Sequence, residues 1–243
     1  MNRYQAATDR LASAQKSGAG VPAYLRWVNR GLGRRAAAAA YVAGLSPNAV
    51  TAASGALSLI GMLVLVFVPL SVGSAIGAAL LLLAGYVLDS ADGQLARLTG
   101  RGSVAGEWLD HVVDAVRLPL VHVSIAICLF RESLPLWSVV VAVLFAVVSS
   151  AWFFAQTLAG KLSSAAADDG SASADTPVWV SFAKLPYDVG TLYLWVAALA
   201  VPSIFLVLYS ALFGATAIIA AGSLRRKYRV LTREHELTSI SEV

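Results

Sequence analysis

Five carboxylates stand close together in LDSADGQLARLTGRGSVAGEWLDHVVD, residues 88–114: Asp89, Asp92, Glu107, Asp110 and Asp114. On a helix, residues three, four or seven apart share a face. Asp89, Asp92, Gly93 and Ala96 therefore fall together, and Gly106, Asp110 and Asp114 form a second face beyond a short connection. Its shortness predicts antiparallel helices whose acidic faces meet. Clustered carboxylates invite hard divalent cations such as Mg²⁺, Mn²⁺ or Ca²⁺. Zinc fits less well, because neither His111 nor His122 has ligand-type spacing to a cysteine or a second histidine. A pair of hard ions would neutralise the acids and attract a diphosphate, polarising the bond to be broken. The small residues Gly93, Ala96 and Gly106 leave room beside the acids for a ligand.

The elements that must hold these acids are apolar. The 243-residue chain is 58% hydrophobic and 13% charged, with a mean hydropathy of +0.72. Runs of about 20 nearly uncharged residues are long enough to cross a bilayer as helices. Six spans are predicted, at Asn48–Leu70, Ala75–Leu98, Ala105–Phe130, Leu134–Gly160, Asp188–Val201 and Ser203–Leu224, the fifth being marginal in length. Carboxylates at mid-bilayer cost about 2.5–3.5 kcal/mol each, so the acids must face water, cations or one another.

Basic residues cluster before the first span, between spans two and three (Arg97, Arg101), around the loop after span four (Lys161, Lys184) and after span six. The opposite side offers only Arg131. The positive-inside tendency makes the basic side, and both termini, cytoplasmic. A formal charge of +4 gathered at one face suits anionic lipid and argues against nucleic acid. VPAYLRWVNRGLGRR, residues 21–35, reads as an interfacial helix with Tyr24, Leu25, Val28 and Leu32 on one face and Arg26, Arg30 and Arg34 on another. The chain thus divides into a cytoplasmic arm with this amphipathic helix (1–47), a six-helix membrane domain (48–224) and a basic cytoplasmic tail (225–243). No cleavable signal peptide is visible, and SSAAADDGSASADTP reads as a flexible loop. Cys128, the single cysteine, and His122 read as packing residues. The Ser54/Ser58 pair reads as a helix contact, and the six tryptophans as interfacial anchors.

Asp89, Asp92, Gly93, Ala96, Arg97, Gly106, Asp110 and Asp114 together resemble the signature of the CDP-alcohol phosphotransferase (phosphatidyltransferase) family. SPNAVT at 46–51 is similar to that family's entrance to its first span. The resemblance implies an enzyme of phospholipid biosynthesis that displaces CMP from a CDP-linked donor with an alcohol, forming a phosphodiester. It implies that Asp89, Asp92, Asp110 and Asp114 hold two divalent ions, Mg²⁺ or Mn²⁺, and that Asp114 is also the general base. Asp89, Asp92, Gly93, Ala96, Gly106 and Asp110 would border the cytidine nucleotide, with Arg97 on its phosphates and Asn48, Thr51 and Ser103 at further nucleotide positions. The donor implied by compact members is CDP-diacylglycerol, and a homodimer is implied.

GEWLDHVVD, with Glu107 and His111, resembles the choline/ethanolamine phosphotransferase branch, in which the head group moves instead. Arg117 and Lys161 are candidate acceptor-binding residues. Arg117 has an alternative as an ion-pair partner of Asp114, and Lys161 stands alone where a larger basic group would mark a phosphorylated acceptor. Intramembrane acids also build ion-coupled transporters, but the broken helices and repeated halves of such proteins are not evident in the sequence.

Overall fold

Capping residues set the ends of the long helices. Ser46 accepts the amide of Ala49 at 3.2 Å and precedes Pro47 at the first helical position. Ser71 and Ser74 cap each other, and Ser103 accepts the amide of Gly106 at 3.0 Å. Gly100, at φ 65°, closes the helix that carries Asp89 and Asp92 in the left-handed conformation glycine adopts freely.

The computed structural model describes residues 2–13, 20–162 and 177–241, with side chains as far as residue 233. Every regular element among them is helical. They are α1 (Arg3–Ser13), a π-helical turn (Leu25–Asn29) running into α2 (Arg30–Val42), α3 (Pro47–Phe67), α4 (Val72–Thr99), α5 (Val104–Arg131) and α6 (Leu136–Leu162). After residues 163–176, where the flexible loop was expected and which lie outside the described residues, come α7 (Val178–Ala183) and a 3-10 turn (Leu185–Tyr187). Then follow α8 (Val189–Val196) with a 3-10 continuation (Ala197–Ala200), and α9 (Pro202–Ser241).

Among the described residues five helices are long and apolar enough to cross a membrane: α3, α4, α5, α6 and α9. The fifth expected span is shorter than a bilayer core. Val189–Ala200 is apolar, but eight α-helical and four 3-10 residues rise only about 20 Å against a core of about 30 Å. Its ends are fixed locally. Asp188 caps it by accepting the amide of Gly190 at 2.9 Å, and Pro202 starts the next helix. α9 does not stop at residue 224 but runs helical through the expected tail to Ser241.

Small residues bring α3 and α4 together. Ser54 Oγ donates to the Gly85 carbonyl at 2.8 Å, and a Cβ on Gly85 would lie 2.9 Å from the Ser54 carbonyl oxygen. Ser54 and Ser58 are buried there, as their spacing suggests. α3 packs closely along both α4 and α5, whereas the close packing does not extend between α4 and α5 themselves. These two helices meet through side chains across a gap, and that gap holds the acids.

Below the acids lies the main apolar core, with Leu82, Ile125, Leu129, Val196, Leu199 and Phe205 fully buried. A second, smaller core joins α1 and α2 to α4 through Ala7, Leu11, Ala37, Ala38, Ala91 and Leu95. The face of the arm's helix that packs inward here is its small-residue face, including Gly33 against Ser90 and Gln94, while Val28 and Leu32 are exposed. At the opposite end Arg131 donates to the carbonyls of Val66 (2.6 Å) and Val68 (2.5 Å), closing the last turn of α3. Glu132 accepts from the Leu70 amide and from Arg131, which together hold its carboxyl below the usual range.

Candidate active site

The spacing of the acids along α4 and α5 becomes one constellation across the gap. Asp89, Asp110 and Asp114 each place a carboxylate oxygen within 4.8 Å of the others. A hard cation bound at about 2.0–2.6 Å needs oxygens separated by such distances, so these three residues fit one such ion. Asp92 is outside this group. It is 6% exposed and accepts a hydrogen bond from Thr51 Oγ1 at 2.6 Å, which ties α4 to the start of α3.

Arg117 is the cation already in place. Only 5% exposed, it reaches from α5 into the acids. Its guanidinium donates to Asp89 Oδ1 at 2.6 Å, to Asp114, and to Ser54 Oγ at 3.1 Å. A buried ion pair of this kind offsets the desolvation of its members only because several charge-assisted bonds converge. The pairing with Asp114 follows from the i,i+3 spacing. The pairing with Asp89, across two helices, has no signal in the sequence.

Next to the acids, toward the α4–α5 turn, opens a cavity of about 460 Å³. Nine of the ten residues expected around a nucleotide line it: Asn48, Thr51, Asp92, Gly93, Ala96, Arg97, Ser103, Gly106 and Asp110. The tenth, Asp89, lies in the acid cluster instead. Asp110 belongs to both the cavity and the cluster and so joins them. Gly106 leaves a space that a Cβ would fill at 3.1 Å from Asn48 Oδ1 and 3.2 Å from Ser103 Oγ. The sequence reading did not assign Arg101 or Glu107 to this wall. Basic charge near a diphosphate was a usable signal for Arg101.

Glu107, on the cavity wall, stands 3.8 Å from His111 and accepts from Lys161 Nζ at 2.7 Å, all three side chains being well exposed. His122 is a packed, hydrogen-bonded residue: Nδ1 lies 2.8 Å from Tyr209 Oη, Nε2 lies 3.2 Å from Ser149 Oγ, and the ring stacks on Phe145. Cys128 is a buried free thiol.

An acid cluster that fits a hard cation, continuous with a cavity edged by arginines, can bind a nucleoside diphosphate and act on its phosphate. No curated protein matches the chain. A family model described as CDP-alcohol phosphatidyltransferase matches residues 44–222, from the turn before α3 to within α9.

Proposed function

The chain belongs to the CDP-alcohol phosphatidyltransferase family, and on that premise we propose that it transfers a phosphatidyl group from CDP-diacylglycerol to an alcohol. A CMP-releasing phosphotransferase follows from the family itself; the donor, the metal and the residue roles are our reading. The observation that carries it is the continuity of the cavity and the acid cluster through Asp110.

In this reading Arg97 and Arg101 hold the diphosphate, and the small side of the cavity at Gly93, Ala96 and Gly106 admits the cytidine. Mg²⁺ or Mn²⁺ on Asp89, Asp110 and Asp114, with Asp92 beside them for a second ion, would supply neutralising charge for the diphosphate and the leaving CMP. Asp114 takes the proton of the acceptor hydroxyl. The acceptor oxygen then bonds to the lipid-bearing phosphorus as the phosphoanhydride bond breaks, and CMP departs with the bonding electron pair. Arg117 holds the carboxylates of Asp89 and Asp114 toward this point.

Mixing the purified protein with CDP-diacylglycerol, a panel of alcohols and Mg²⁺ or Mn²⁺ tests the proposal. CMP should appear only with metal and should cease on chelation. Full activity in thoroughly chelated protein would end the metal-dependent mechanism. The contact of Glu107, which lines the cavity, with His111 favours a second reading, head-group transfer from a CDP-choline-like donor, and running both donors decides between them.

A further inference from the structure

We propose that a second cavity, deeper in the bundle beside the acid cluster, seats the acceptor, and that this acceptor is an uncharged alcohol with an apolar body. The proposal rests on the transferase reading but not on which CDP-linked donor is used.

The cavity measures about 320 Å³ and is enclosed by α5, α6, the 186–192 segment and α9. Leu118, Phe145, Phe153, Leu192 and Leu212 form most of its wall. It adjoins the reaction point along α5. Asp114, Leu118 and His122 follow one another at successive turns, so the wall begins one turn, about 6 Å, beyond the proposed base. One turn before Asp114, His111 meets Phe153 edge-on at 6.3 Å, and Phe153 also lines the cavity. A hydroxyl carried by a ligand at the Leu118 end of this space therefore lies about one helical turn from Asp114.

Its charge selects the ligand. Among the described residues no lysine or arginine lines the cavity, Asp188 is its one carboxylate, and its histidine, His122, already contacts Tyr209 Oη and Ser149 Oγ through its two ring nitrogens. Arg117 is bonded to Asp89, Asp114 and Ser54, and Lys161 to Glu107 on the wall of the other cavity. A phosphorylated polyol would meet a carboxylate here and, among the described residues, no lysine or arginine to balance its charge, an arrangement that burial penalises heavily. A neutral oxygen has a partner: Trp152 lines the cavity, and its buried indole Nε1 has no hydrogen-bond acceptor. Ser149, Gln156 and Thr216 add uncharged polar atoms. A mostly apolar pocket with a few fixed polar groups is the usual form of a site for a small apolar ligand.

The test uses the full chain in detergent with Mg²⁺ and either CDP-diacylglycerol or CDP-choline. The acceptors are dioctanoylglycerol, free inositol and glycerol 3-phosphate. CMP release should be fastest with dioctanoylglycerol, by about tenfold or more. Leu118→Trp, which fills the cavity, should raise the KM for that acceptor by about tenfold with a smaller change in kcat, and leave the Kd of CDP within about twofold. Thr216→Leu provides a second filling variant should Leu118→Trp not fold. Preference for glycerol 3-phosphate, or for free inositol, overturns the proposal. So does a filling variant that weakens binding of CDP-diacylglycerol and spares the acceptor KM, since the cavity would then hold a donor chain. If the folded protein binds CDP but releases CMP with no pair, the transferase reading itself fails and takes this proposal with it.

Discussion

Asp114 and Arg117 define the chemistry at the smallest scale. A carboxylate bonded to a guanidinium is held in place and in charge, and in the proposed reaction it must also accept a proton from a weak nucleophile within hydrogen-bond reach. Asp114→Asn should keep the fold and CDP binding while slowing single-turnover transfer by about 10²-fold or more. Donor affinity falling in proportion to rate would make Asp114 a metal ligand only. Arg117→Ala leaves Asp89 and Asp114 facing each other without their buried cation. Breaking such a pair costs about 3–5 kcal/mol, so the melting temperature in chelator should fall sharply, and added Mg²⁺ should raise it more than in the unmodified protein. Equal responses of the two proteins to Mg²⁺ would show that Arg117 and the ion do not answer to the same carboxylates. The acids themselves were legible, because their three- and four-residue spacings survive folding unchanged on α4 and α5. What Arg117 touches on α4, and the departure of Asp92 toward Thr51, depend on how two helices are set across a gap, which spacing does not encode.

That gap is a property of the elements. Because α3 packs along α4 and along α5, the two acidic helices can stay apart where the cavity opens while their side chains meet at Asp89, Asp110 and Asp114. Gly85 is a point of close α3–α4 approach, where a Cβ would meet the Ser54 carbonyl oxygen at 2.9 Å, and Ser54 passes that contact on to Arg117. Gly85→Ala forces the helices apart and should destabilise the protein by about 1–3 kcal/mol. Gly77→Ala, on the same helix with nothing within 4 Å of the new methyl, should be neutral or slightly stabilising. Indistinguishable melting temperatures for the two would refute this account of the packing. The long helices were legible as apolar runs bounded by Ser, Gly and Pro. α1 was not, since only Ala7 and Leu11 of its polar sequence are buried. The short α8 segment falls within the marginal apolar run expected at 188–201, but an apolar stretch gives composition and not the change to 3-10 geometry over its last four residues.

At the scale of the whole molecule, the distribution of basic residues meets the arrangement of the chain. Lys184 donates to the Gly20 carbonyl at 2.6 Å and the Leu25 amide to Asp188 at 2.9 Å, so the segments before α3 and after α6 lie together. α1 packs on the end of α4 that leads to Arg97 and Arg101. Arg131 sits at the other end of the bundle, spent on carbonyls of α3. Trp27, Trp108, Trp137 and Trp179 are exposed, as anchors in a headgroup layer would be, whereas Trp152 lines a cavity. With the positive-inside tendency, the basic end, and with it the cavity beside the acids, should face the cytoplasm. Cys128 is the single cysteine, so a Cys128→Ala background allows each end to be tagged alone. Ser13→Cys reports the arm and Ser133→Cys the exposed turn after α5. A membrane-impermeant thiol reagent should label Ser133→Cys in intact cells, and Ser13→Cys only after the membrane is opened. The reverse pattern would turn the molecule over and place the cavity on the outer face. Labelling of both in intact cells would mean that the arm and the α5–α6 turn lie on the same side, which three crossings by α3, α4 and α5 do not permit.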